Sequence, residues 1–127
     1  ALLLAARAGH PEVLATLLEN DADIDTPDRD GQTALMAAIS FGHPETALLL
    51  LERGAGVNLA DRDGITPLME AAEAGELEPV KMLLEYGADP AARDNQQRTA
   101  EEIAWGRGNR EIYDLLQSAE RAQIEQQ

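Results

Sequence analysis

The chain has 127 residues, enough for one domain, and carries 10 Lys and Arg against 24 Asp and Glu, a formal net charge of −14. That balance argues against nucleic acid and against an anionic membrane surface as partners, because both require a basic footprint. Cysteine is absent, which excludes disulfides, thiolate metal sites and thiol nucleophiles, and no apolar run approaches the roughly 18 residues needed to span a bilayer. Phe41, Tyr86, Trp105 and Tyr113 are the only aromatic residues, so the core must be filled by Ala and Leu, which favours close-packed helices.

The predicted elements run as helix, turn, helix, loop. Residues 1–8 (ALLLAARA) read as a first helix that lacks its opening turn, with Leu3 partly exposed, and Gly9 stops it. Pro11 opens a second helix with Glu12 in the first turn, where a carboxylate interacts favourably with the helix dipole. A polar turn, DTPDRDG, follows, ending in the tight-turn pair Asp30–Gly31. Thr33 then caps a short helix stopped by Gly42, and Pro44 with Glu45 opens the next one.

The turn NLADRDG leads to Thr66, an N-cap, and to Pro67, which fits the first helical position. Leu68, Met69, Ala71 and Ala72 share one face of that helix, and Gly75 supplies its left-handed stop. Val80, Leu83 and Leu84 mark a partner helix ending at Gly87, with Pro79 early enough to be tolerated. In the last unit Glu101 and Glu102 replace the usual apolar start, while Ile103 and Ala104 are kept for the inner side. Trp105 takes a place held elsewhere by Ala or Ile, easiest to fit where no further unit packs. Beyond Leu116, QSAERAQIEQQ is polar, a helical extension or frayed tail.

One period underlies these elements. Thr33, Thr66 and Thr99 are 33 residues apart, and the same step carries Gly9 to Gly42, Gly75 and Gly108, and Ala5 to Ala38, Ala71 and Ala104. Glu12, Glu45, Glu78 and Glu111 keep it, as do Leu17, Leu50, Leu83 and Leu116. The blocks TALMAA, TPLMEAA, LLLLERGAGVN and MLLEYGADP closely resemble ankyrin repeats, and the resemblance covers essentially the whole chain. It implies an all-α ankyrin-repeat solenoid of stacked helix-turn-helix units with projecting β-turn or hairpin loops. The implied units are residues 1–27 (incomplete, an N-terminal cap), 28–60, 61–93 and 94–127 (a C-terminal cap with the polar tail).

Catalytic and metal constellations find structural explanations. Asp21-x-Asp23-x-Asp25 opens like a calcium loop, but Thr26 stands where that loop needs Gly and Gln32 where it needs a bidentate Glu. The repeat accounts for the same residues: Asp21 replaces a loop Gly, and Asp28 and Asp30 are matched by Asp61 and Asp63. His10 and His43 are too few for zinc and, as ankyrin residues, belong to the turn between helices, bonding backbone. The Thr hydroxyls at 33, 66 and 99 are caps, neither histidine has a triad context, and no phosphate loop occurs. The expectation is a protein that is not an enzyme and holds no cofactor and no metal.

What remains is surface. The ankyrin resemblance implies docking on turn tips and on the exposed side of the first helices. Carried over, it makes Arg29, Asp30, Gln32, Arg62, Asp63, Ile65, Asn95 and Arg98 candidates from the turns, and Ser40, Phe41, Glu73 and Arg107 from helix ends. Most of these positions differ between copies, Gln32, Ile65 and Arg98 or Ser40 and Glu73 for example, while the packing positions repeat. Phe41 and Ile65 are apolar where packing makes no demand, so they are candidate anchors.

The groove is expected to run from acidic at Asp21–Asp30 to mildly basic between Arg93 and Arg110, and the second-helix glutamates to form a solvated outer face. The expected function is non-catalytic protein–protein recognition by a chain that is monomeric when unbound, its partner a protein with a basic contact patch. The alternatives are an inhibitor or immunity-type protein masking a basic active site, and the ankyrin segment of a larger enzyme or receptor. Nine Arg to one Lys leans towards a bacterial, cytoplasmic protein.

Overall fold

The computed structural model describes residues 2–125, which form eight α-helices and no strand. In chain order they are α1 (Leu2–Ala8), α2 (Pro11–Glu19), α3 (Ala34–Ser40), α4 (Pro44–Glu52), α5 (Pro67–Ala74), α6 (Leu77–Glu85), α7 (Ala100–Gly106) and α8 (Arg110–Glu125). They pair as α1–α2, α3–α4, α5–α6 and α7–α8, and each pair stacks on the next. The odd-numbered helices form one layer and the even-numbered helices the other.

Local chemistry explains where each helix starts. Thr33, Thr66 and Thr99 are extended in backbone, and their hydroxyls accept the N–H of Met36, Met69 and Glu102 at 3.5, 3.3 and 3.2 Å. Each cap thereby satisfies one of the orphan donors of the first turn. Pro11 and Pro44 begin α2 and α4, whereas α6 begins at Leu77, leaving Pro79 inside its first turn, where no intrahelical N–H bond is lost. Gly75 ends α5 in the left-handed conformation. The second helix of that unit stops at Glu85, two residues before the expected Gly87, which lies beyond it at φ 92°.

The core is a single apolar cluster along the stack. Ala37, Ala38, Ala71, Ala72 and Ala104 are fully buried, bringing neighbouring inner helices close, while Leu14, Leu50, Leu83 and Leu116 fill the space between layers. End effects follow from the same geometry. Val13 is exposed although its equivalents Thr46 and Ile112 are buried, because no preceding unit covers it among the described residues. Leu3 is half-buried, as expected, and Leu4 beside it is 67% exposed. At the other end Trp105 is 64% exposed where Ala6, Ile39 and Ala72 are buried, and it leans on Tyr113 with ring centroids 4.8 Å apart. The polar tail continues α8 as helix to Glu125; its last two residues lie outside the described residues.

Two close approaches lock the turns together. Gly31 and Gly64 have φ of 80° and 79°, and a Cβ at either would meet the next turn: 2.9 Å from Arg62 N and 2.8 Å from Asn95 N. Their equivalent in the last unit is Gln97, which holds φ 66° without a further turn packed on it among the described residues. A left-handed glutamine is strained. Gln97→Gly should therefore raise stability by about 0.5 kcal/mol, net of the entropy glycine adds to the unfolded chain. Gly64→Gln should lower it by more than about 2 kcal/mol, since conformation and contact both oppose it. Urea unfolding midpoints read both, and a fall with Gln97→Gly would contradict the assignment.

Where α8 packs back towards α7, Glu120 is pushed up to about 7. Burial is the main cause, then a hydrogen bond to Glu101 and repulsion from Glu101 and Asp89, with Arg93 pulling the other way. Because the folded-state value is raised, its contribution to stability is full below the ordinary 4.5 and is lost as pH rises through about 7. Glu120→Gln should raise the melting temperature at about pH 8 and leave it nearly unchanged at about pH 4. An identical pH profile for variant and parent would contradict this.

Candidate functional site

Each projecting turn is folded by one aspartate. Asp28 Oδ1 accepts the N–H groups of Asp30 and Gln32, both at 2.9 Å. Asp61 does the same for Asp63 and Ile65 at 2.9 and 3.0 Å, and Asp94 for Gln96 and Arg98 at 2.8 and 2.9 Å. This is the Asx-turn device, in which a short side chain stands in for a backbone acceptor. Successive tips are then stitched: the Arg62 N–H donates to the Asp30 carbonyl and the Asn95 N–H to the Asp63 carbonyl, both at 2.9 Å. Two side chains repeat the pattern, Arg62 donating to the Arg29 carbonyl at 3.2 Å and Asn95 to the Arg62 carbonyl at 2.9 Å. Arg62 and Asn95 thus hold the tips in register while staying exposed.

Of the sequence candidates, Arg29, Asp30, Arg62, Asp63 and Asn95 are exposed along these tips, and Ser40, Phe41, Glu73 and Arg107 at the ends of the inner helices. Gln32, Ile65 and Arg98 are half-buried. Phe41 is 55% exposed, with the Arg7 guanidinium 6.0 Å from its ring centre, at the outer reach of a cation–π contact. Ile65 differs: it packs against the core, so packing makes a demand of it that its variable position concealed.

Ile65, Glu73 and Arg98 meet around one cleft of about 250 Å³, whose remaining lining is Met69, Glu70 and Ile103. Glu70 was not singled out by its sequence position, although a signal was there: its equivalents Leu4, Ala37 and Ile103 are all apolar.

Four arginines are engaged with carboxylates. Arg107 pairs with Glu73, Arg98 with the buried Asp94 at 2.9 Å, Arg93 with Glu102 at 3.8 Å, and Arg7 with Asp28 at 3.4 Å. The basic end expected between Arg93 and Arg110 is for this reason mostly neutralised. Burial alone would raise the Asp94 carboxyl, but the N–H donors of Arg98 and Gln96 and the Arg98 guanidinium outweigh it and hold the group below its usual value. Glu70 shifts the opposite way, raised first by burial and then by the neighbouring Asp61 and Glu73 carboxylates.

The aspartates of the acidic segment serve the turns rather than a common centre. Asp23 accepts from the Asp25 N–H and Asp25 from the Gly56 N–H, at 3.0 and 2.8 Å. His43 Nε2 lies 2.8 Å from the Arg7 carbonyl and donates to it, tying two units together. Asn109 takes the same role for Gly75 at 3.2 Å.

A family model described as ankyrin repeats (3 copies) matches residues 1–61 and again residues 53–127, covering the whole chain. A comparison with curated proteins returns no match. Helix pairs stacked at a 33-residue step, threonine caps and aspartate-folded turns agree with that description, and the chain belongs to the ankyrin repeat family.

Proposed function

We propose that this chain is a non-catalytic recognition module that binds a partner protein through its turn tips and the exposed ends of its inner helices. Ankyrin repeats are generally protein–protein interaction modules. One observation carries the reading to these residues: the Ala and Leu positions that repeat every 33 residues pack the core, whereas Gln32, Ile65 and Arg98 in the turns and Ser40, Phe41, Glu73 and Arg107 at the inner-helix ends change from copy to copy and lie exposed or half-buried along one ridge. Arg29, Asp30, Arg62, Asp63 and Asn95 line its tips, with Ser40, Phe41, Glu73 and Arg107 behind them and Gln32, Ile65 and Arg98 between.

The stitched turns make that ridge rigid, so little conformational entropy is lost on binding. With a net charge of −14, the favoured partner presents a basic contact patch to a monomeric chain. The nine-to-one excess of Arg over Lys supports a bacterial cytoplasmic setting.

Capture from the native source with the chain as bait, followed by titration of the recovered protein, tests this. Phe41→Ala should weaken binding by about tenfold or more, with the melting temperature within about 2 °C of the parent. Raising salt should weaken it further. By comparison, Leu83→Ala should cost about 2–5 kcal/mol of stability. Binding unaffected by both Phe41→Ala and salt would overturn the assignment.

A further inference from the structure

We propose that the cleft between α5 and α7 is a socket for one lysine or arginine side chain of the partner protein. The inference rests on the recognition reading above and names the chemistry of one subsite within it. Two departures from the repeat meet there. Ile65 is apolar where the equivalent positions carry Gln32 and Arg98, and Glu70 is charged where they carry Leu4, Ala37 and Ile103. The repeat itself fixes neither, since the other units fold with the opposite character at both places, although the Ile65 side chain also packs against the core.

The result is a cleft of about 250 Å³ with Ile65, Met69 and Ile103 for its apolar lining and the Glu70 carboxylate beside them. That volume suits a single long side chain and falls short of the roughly 300 Å³ at which small-molecule pockets begin. An aliphatic stem with a cationic head matches both parts of the lining, because long basic side chains bury their methylenes and keep the charge at a polar edge.

The charge balance selects the sign. Around the cleft stand the carboxylates of Asp61, Glu70, Glu73 and Asp94, against the guanidiniums of Arg98 and Arg107. Both guanidiniums are already held, Arg98 by Asp94 and Arg107 by Glu73. Asp61 is not among the residues lining the cleft, and its Oδ1 accepts the N–H groups of its own turn. Glu70 makes no ion pair or side-chain hydrogen bond among the described residues, so it is the carboxylate left to receive a cation. The upward displacement of its carboxyl, from burial and from Asp61 and Glu73, marks it as short of positive charge.

The test uses capped tripeptides with lysine, arginine, norleucine or glutamate between two alanines, titrated against the folded chain while the Ile65 and Ile103 methyl resonances are followed. Lysine and arginine peptides should give saturable shifts at both methyls. Affinity should fall by about tenfold for the norleucine peptide and for Glu70→Gln. Glu70→Ala, which restores the alanine of the second unit at Ala37, should lose the response while keeping the fold.

Equal binding of norleucine would overturn the socket, as would shifts spread evenly over acidic sites and unchanged by either Glu70 variant. The two readings fail separately. A captured partner that binds Glu70→Ala as tightly as the parent removes the socket and leaves the recognition module. A saturable lysine response without any partner protein binding to the ridge removes the module and shows a cation cleft only.

Discussion

The inner helices are only seven or eight residues long, too short to persist alone in water, where isolated helices below about 12–15 residues are marginal. They exist here because each buries its apolar side against the next. Ala37, Ala38, Ala71, Ala72 and Ala104 are small enough for neighbouring backbones to approach, and all are fully excluded from solvent. Everything else depends on that stacking. It fixes the spacing at which the Asp30 and Asp63 carbonyls meet the next turn, and it explains why Gly31 and Gly64 leave no room for a Cβ. An interior unit has identical neighbours above and below, so the same residue is favoured at the same place in each copy. The 33-residue period is the record of that constraint in the chain.

The constraint also explains what could be read in advance. Threonine caps, glycine stops and Ala–Leu stripes are local or periodic signals, so the helix order and the buried layer were legible residue by residue. So was the exposure of Trp105, a large side chain at a place that Ala6, Ile39 and Ala72 bury in the other units. Pairings that depend on geometry across units were not. The partners of Arg62 and Asn95 are backbone carbonyls, which every residue owns, so no residue type announces the stitch. The basic end of the charge gradient is blunted for a related reason: Arg98 and Arg107 look like free cations until Asp94 and Glu73 are found beside them. Ile65 was misread as free of packing because variability between copies marks a position as unconstrained by the repeat, not as exposed.

Charge on this protein consequently has two roles. The turn aspartates and their N–H donors are structural: Asp28, Asp61 and Asp94 repeat because each folds a turn, and they tell little about a partner. The glutamates of α2, α4 and α6 stand on the solvated outer layer. The remaining carboxylates are spread unevenly over the turns and α5, α7 and α8, and Glu70 is the one that lines the cleft without an ion pair among the described residues. A rigid frame with a few unengaged groups on one ridge is how a repeat protein achieves specificity without changing its fold, since the frame stays constant while the exposed residues vary.

The separation of frame from ridge is the central claim, and mapping backbone amide shifts on addition of the captured partner tests it most directly. The account predicts perturbations at the turn tips Arg29–Asp30, Arg62–Asp63 and Asn95 and at the inner-helix ends around Phe41, Glu73 and Arg107. Perturbations centred instead on the outer faces of α2, α4 and α6, at Glu12, Glu45, Glu52, Glu78 and Glu85, would contradict it.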